Sequence, residues 1–129
     1  MIAPKFAFRL FALAALVTLT PALVRAGEPT ALRVVIVETS DVDGYVKEIE
    51  KAKAMMKRLE IPGQVRIWKA RFAGDKTGSI AVGLEYPNLS ELAKAEVRMA
   101  ADAEYSAWLK SLDKIRKVVS DSIYYELKP

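Results

Sequence analysis

The chain has neither cysteine nor histidine in 129 residues. Without cysteine there is no disulfide, no thiolate nucleophile and no thiolate metal site. Without histidine, the side chain best suited to proton transfer near neutral pH and the commonest metal ligand are both missing. Ser-His-Asp hydrolysis is therefore excluded, as is haem held by histidine. Glycine-rich phosphate loops, Walker patterns and acidic calcium loops are also lacking. Met55, Met56 and Met99 raise the question of copper, since thioethers favour Cu(I). Adjacent methionines on a helix point about 100° apart, and with no M-x-M run their expected work is core filling. No cofactor and no metal is expected.

Long apolar runs are scarce, and the one that stands out lies at the start. Lys5 and Arg9 precede an apolar run from Leu10 to Val24, and Val24-Arg25-Ala26 forms a small-residue exit before Gly27. Fifteen residues interrupted by Thr18, Thr20 and Pro21 fall short of the roughly 20 that a spanning helix needs. Residues 1–26 are expected to be a cleavable Sec-type signal peptide. The mature protein, residues 27–129, would then be periplasmic or extracellular and free of the membrane. The leader holds three basic residues and no acid, so of the chain's 20 basic residues 17 remain, against 16 acidic ones. The basic pI therefore comes from the leader, and no block of five like charges survives, so nucleic acid is not an expected partner.

What remains reads as one α+β domain. Ala31 to Glu38 is β-branched and apolar on both alternating sets, Leu32, Val34 and Ile36 against Val35 and Val37, which suits a central strand covered on both faces. Thr39, Ser40, Asp41 and Asp43 supply helix-start chemistry. Val42, Val46, Ile49, Ala52, Met56 and Leu59 then recur at helical spacing over about five turns. Pro62-Gly63 stops that helix. Gln64 to Ala73 follows as a strand whose Arg66, Lys69 and Arg71 suit a sheet edge. A hairpin loop, Gly74 to Gly78, returns the chain as Ser79 to Tyr86, large on one side (Ile80, Val82, Leu84, Tyr86) and small on the other (Ala81, Gly83).

Asn88 with Glu91 marks the next helix start, a reading that also accounts for the glycosylation sequon Asn88-Leu89-Ser90. Leu89, Ala93, Val97, Ala101, Tyr105, Trp108, Leu112 and Ile115 give that helix its expected buried face. Its length predicts a bend near Ala101 to Ala103, with Asp102 capping a second segment. Val118 to Leu127 closes the chain as a fourth strand, with Val119, Ile123, Tyr125 and Leu127 on one side of the pleat.

The order β-α-β-β-α-β predicts a ferredoxin-like fold, a four-stranded antiparallel sheet with two helices on one face. The uncovered apolar face predicts a homodimer with sheet facing sheet. On this element order, the long second helix and the segment Asp102-Ala103-Glu104-Tyr105-Ser106-Ala107-Trp108-Leu109, the chain from Arg33 to Leu127 resembles the dimeric α/β-barrel superfamily. That superfamily includes antibiotic-biosynthesis monooxygenase-like domains. Relatives often open the second half of that helix with an Asp-Pro-Glu-Tyr-like motif; here Ala103 stands in the proline's place. The resemblance implies a small-molecule pocket and admits a cofactor-independent oxygenase acting on an aromatic substrate that itself activates oxygen.

With histidine and cysteine absent, acid-base work would fall to a carboxylate or tyrosine with a shifted pKa. The candidates are Asp121 and Glu85, both of which interrupt strand patterns; the plainer roles are a gatekeeper at a sheet edge for Asp121 and a solvent-facing position for Glu85. Trp68, Tyr86, Tyr124, Tyr125 and Trp108 are candidates to line a barrel pocket for an aromatic ligand, with Arg66 to orient an anionic group; core and interface packing is the competing use of the aromatics. Three roles stay open: an exported homodimer binding a small apolar or aromatic molecule, the oxygenase-like enzyme, and a structural or interaction module of the cell envelope. A cavity of about 300 Å³ or more, lined by Trp68 and tyrosines, favours the first two, and a filled barrel the third. A carboxylate or tyrosine meeting the aromatics inside it raises the enzyme.

Overall fold

The computed structural model describes residues 28–128, so the expected signal peptide lies outside the described residues. Strand β1 (Ala31–Glu38) leads into helix α1 (Val42–Arg58), β2 (Gln64–Lys69), β3 (Ile80–Tyr86), helices α2 (Leu89–Ala101) and α3 (Ala103–Ser111), and β4 (Lys117–Tyr125). The strands form one antiparallel sheet in the order β2-β3-β1-β4. Its helices pack on one face, which is the ferredoxin-like α+β architecture. No helix among the described residues is long and apolar enough to cross a membrane.

β1 and β3 are central because both their faces can be covered. On the helix side, Val37, Ile80 and Val82 pack with Tyr45, Ile49 and Leu112, while Ala31 and Tyr86 pack with Met56, Leu92, Ala95 and Met99. Among the described residues the opposite face carries no helix, and it presents Leu32, Val34 and Ile36 beside Ala81 and Gly83. Trp68 of β2 lies across Gly83 on that face. A Cβ at position 83 would sit 2.6 Å from the indole Cζ3, so only glycine permits the ring to lie flat there. The edges are β2, with the expected cationic side chains, and β4.

Helix starts follow the sequence signals. Asp41 accepts from the Gly44 N–H at 2.9 Å and Asn88 from the Glu91 N–H at 2.8 Å. The expected bend is present: α2 ends at Ala101, Asp102 is extended (φ −86°, ψ 120°), and its carboxylate caps α3 by accepting from the Tyr105 N–H at 2.9 Å. Arg58, at the end of α1, donates to both Asp102 oxygens at 3.1 and 2.7 Å and so ties the bend to the neighbouring helix. Alanine at 103 is thus sufficient for the bend, because the cap supplies what a proline would otherwise enforce.

Four expectations need correction. β2 ends at Lys69, and the chain then forms a longer loop with a 3₁₀ turn at Gly74–Lys76. In β4 the register slips between Ile36 and Val37, so Val119 falls outside the ladder and Val118, Asp121, Ile123 and Tyr125 share the helix side. The buried face of α2 is Leu92, Ala95 and Met99; Leu89 and Val97 are exposed. Two sets four residues apart are both apolar on this alanine-rich helix, so periodicity alone does not choose between them. Tyr86, Met56 and Ile61 choose, by offering the first set a core to enter. In α1 the buried set likewise includes Tyr45 and Met55, with Val46 only half-buried.

Met99→Ala is therefore expected to cost about 2–5 kcal/mol in urea denaturation, as removal of a core side chain does. Val97→Ala, two residues away, is expected to stay within about 0.5 kcal/mol. Equal costs would restore the original assignment of the α2 face.

Candidate functional site

The helix layer does not close over the whole sheet. Between β1, β4 and the three helices lies a cavity of about 570 Å³. One wall is apolar: Val35, Ile49, Met56, Val82, Met99 and Trp108. The other carries Arg33, Glu96, Tyr105, Arg116 and Asp121. This combination of a greasy wall and a few convergent polar groups is the usual make-up of a small-molecule site.

Alternation along β1 puts Arg33 on the helix side, between Ala31 and Val35. A guanidinium there must be paired, because an isolated charge cannot be held away from water at acceptable cost. Asp121, on the neighbouring strand, accepts from Arg33 Nε at 2.9 Å and Nη2 at 2.6 Å, and Glu96 of α2 accepts from Nη1 at 2.6 Å. The Asp121 hydrogen bond is the main reason that the guanidinium is held even more firmly protonated than usual. The same contact holds the Asp121 carboxyl below the ordinary aspartate range, against the opposing effect of burial.

Two tyrosines stand near this cluster. Burial pushes the Tyr105 phenol up, and the charge of Glu96 adds to the shift. Tyr105 packs against Trp108 with ring centroids 5.3 Å apart, and the indole N–H donates to Glu48 at 3.0 Å. Burial likewise raises the Tyr86 phenol, whose oxygen is enclosed without a hydrogen-bond partner. On the α3–β4 connection, Arg116 donates from Nη1 to the Tyr45 hydroxyl at 3.1 Å, its guanidinium carbon 5.9 Å from the centre of that ring.

The residues expected to share one pocket do not meet, because the pleat sends them to opposite sides. Trp68 and Arg66 of β2 and Tyr124 of β4 lie on the helix-free face, where Arg66 donates to Gln64 at 3.0 Å. Trp108 lines the cavity, whereas Tyr86 is 1% exposed and belongs to the core. Tyr125 is on the helix side of the outer strand and largely exposed. Of the two candidate carboxylates, Asp121 faces the cavity. Glu85 stands on the helix-free face beside Leu32 and Gln64.

Sequence reasoning passed over Arg33, Glu96, Tyr105 and Arg116 as site residues. The signal for Arg33 was present: a lone charge at an inward position of an otherwise apolar central strand requires a partner. Glu96 became legible only with the α2 face, since it adjoins Ala95 on the buried side.

No protein-family model matches the chain, and no curated protein sequence matches it either. Solved structures do. A NIPSNAP family protein with unknown function from Agrobacterium tumefaciens is 14% identical, with a TM-score of 0.57 over 77% of this chain and 88% of that one. A dimeric ferredoxin-like protein from an uncultured marine organism is 13% identical, with a TM-score of 0.54 over 79% and 91%. A conserved protein of unknown function from Bacteroides thetaiotaomicron, described as a possible oxidoreductase, is 13% identical, with a TM-score of 0.50 over 77% and 99%. At these identities the likeness establishes the fold alone, the ferredoxin-like α+β architecture already seen in the strand order.

The acid limb of stability is expected to report the Arg33–Asp121 pair. Because the folded Asp121 value is lowered, its contribution is complete above the ordinary aspartate pKa of about 3.9 and is lost as pH falls through the folded value. In urea titrations from neutral pH to pH 2, the stability difference between wild type and Asp121→Asn should be constant above about pH 5 and shrink below it. A difference independent of pH throughout would separate Asp121 from Arg33.

Proposed function

We propose that this protein is an exported homodimer that binds a small organic molecule, apolar or aromatic in body, in the cavity between its helices and sheet. The observation that carries the reading is the cavity of about 570 Å³ with Trp108 and Tyr105 on its wall. The space opens to solvent past Leu109 and Val118, and a cleft of this size with an apolar body and a few convergent polar groups is where small organic molecules bind. The cavity lies on the helix side and is not lined by Trp68, so it supports ligand handling at a place other than the expected barrel pocket.

The dimer reading rests on the helix-free face. Leu32, Val34 and Ile36 in the two-faced strand, with Trp68 at 48% and Tyr124 at 57% exposure, form an apolar surface that a second copy would cover. A dimeric protein among those of the same fold supports it. Export rests on the leader, Met1 to Ala26, alone.

A second reading makes the protein an enzyme of the cofactor-independent, oxygenase-like kind. It is favoured by the meeting of carboxylates and a tyrosine with Trp108 inside the cavity. Asp121 is a poor base, since its pairing with Arg33 lowers its proton affinity. Glu96, bound by one Arg33 N–H, is the better placed of the two. In this reading Glu96→Gln abolishes turnover of a bound phenolic substrate and leaves its binding intact; unchanged turnover removes the enzyme.

Native mass spectrometry of the exported protein should show a dimer beginning at Gly27 and carrying a retained small molecule. Val34→Asp should yield monomers by placing a charge in the covered face. Ala100→Phe, which fills the cavity from α2, should lose the retained molecule and keep the dimer. A wild-type monomer at micromolar concentration would remove the dimer, and a cavity that takes up no apolar probe would remove the binding function.

A further inference from the structure

The cavity's two arginines are in different states. Arg33 is saturated: three of its nitrogens donate to Asp121 and Glu96. Arg116 has a single acceptor, the neutral Tyr45 hydroxyl, and makes no ion pair among the described residues. Its Nε–H is enclosed without any partner. An enclosed donor without an acceptor is costly and uncommon, and a charged one more so. Asp121 feels the charge of Arg116 but spends both oxygens on Arg33.

The charges lining the cavity balance, with Arg33, Lys110 and Arg116 against Glu96, Asp113 and Asp121. Net attraction therefore does not select the ligand; unused directional donors do. With Nη1 committed to Tyr45, the unused edge of Arg116 is Nε with Nη2. Two parallel N–H groups in that arrangement match the two oxygens of a carboxylate. A carboxylate that drew the guanidinium a little toward the cavity would engage both donors and relieve the enclosed one. Lys110, which lines the same cavity and also lacks an ion pair among the described residues, stands at the approach.

We infer that the molecule held in this cavity is a small organic carboxylate, its anionic end on the free edge of Arg116 and its apolar body against Trp108, Leu109 and Val118. The inference rests on the binding function proposed above and narrows its ligand class. Arg116 acts here as a binding residue, and Arg33 with its two carboxylates as the support that keeps the polar wall in place.

Isothermal titration of the mature protein tests it with two matched pairs, octanoate against 1-octanol and 1-naphthoate against 1-naphthalenemethanol. Within at least one pair the carboxylate should bind tenfold or more tighter than the alcohol, the scale of a charge-assisted hydrogen bond. Arg116→Gln should weaken that carboxylate by about tenfold and leave the alcohol unchanged, while Arg116→Lys should restore part of the loss. Thermal melting of both variants checks that they remain folded. Alcohols that bind as well as their carboxylates, or an Arg116→Gln variant that keeps full preference for the anion, would overturn the carboxylate and leave the cavity as a binding site. Failure of all four probes would overturn the binding function and this inference with it.

Discussion

A guanidinium in the middle of a central strand constrains everything on the helix side of this protein. Arg33 cannot be left alone there, and the sheet answers with Asp121, diagonal to it across the β1–β4 ladder, and the helix layer with Glu96. Three charged side chains that bond to one another need space and some contact with water. The exposures of 27% for the Arg33 side chain and 41% for that of Asp121 show that they keep it. Helices α2 and α3 therefore cannot settle onto β4 as α1 settles onto β3. The cavity is the space this polar cluster holds open. Such a cluster contributes little net stability compared with apolar residues of the same volume, so its presence is better explained by the cavity it maintains.

The sheet separates two tasks by its pleat. Its helix side carries the cavity; its other side is an apolar surface paved by Trp68 over Gly83. The same alternation that splits Trp68 from Trp108 means that a substitution on one face need not disturb the other. It also gives the aromatic residues different physical jobs. Trp68 and Tyr124 are flat, exposed and suited to a protein surface, whereas Trp108 is held by Glu48 and Tyr105 in a fixed attitude at the cavity wall.

The strands, helix caps and bend were legible because each rests on local chemistry: β-branched alternation in β1, Asp41 and Asn88 at helix starts, Asp102 at the break. The α2 face was not legible, since Leu89, Ala93 and Val97 are as apolar as Leu92, Ala95 and Met99, and only the tertiary core distinguishes them. The β4 bulge at Val119 was hidden for a similar reason, because an extra residue in a ladder leaves no mark on composition. Half of the site followed from that strand. Asp121 stood out as a charge interrupting a pattern, but its partner Arg33, 88 residues earlier, interrupts a pattern too, and pairing the two required the strand order.

The inner face of β4 also shows why the cavity opens where it does. Val118 borders the cavity, and beyond Asp121 the same side of the strand continues as Ile123 and Tyr125, which are 52% and 60% exposed. Among the described residues no helix covers Ile123 and Tyr125, because α2 follows Tyr86 and Met99 toward β3 and β1, and the cap at Asp102 redirects α3 only after the charged cluster is passed. A core closed by apolar contacts alone would have drawn the helix layer outward over Ile123 and Tyr125, which gain most by burial. That it does not do so places the limiting interaction in the Arg33–Glu96–Asp121 cluster. The helix layer is pinned to the sheet at Glu96, and the exposed apolar strip on β4 is the consequence.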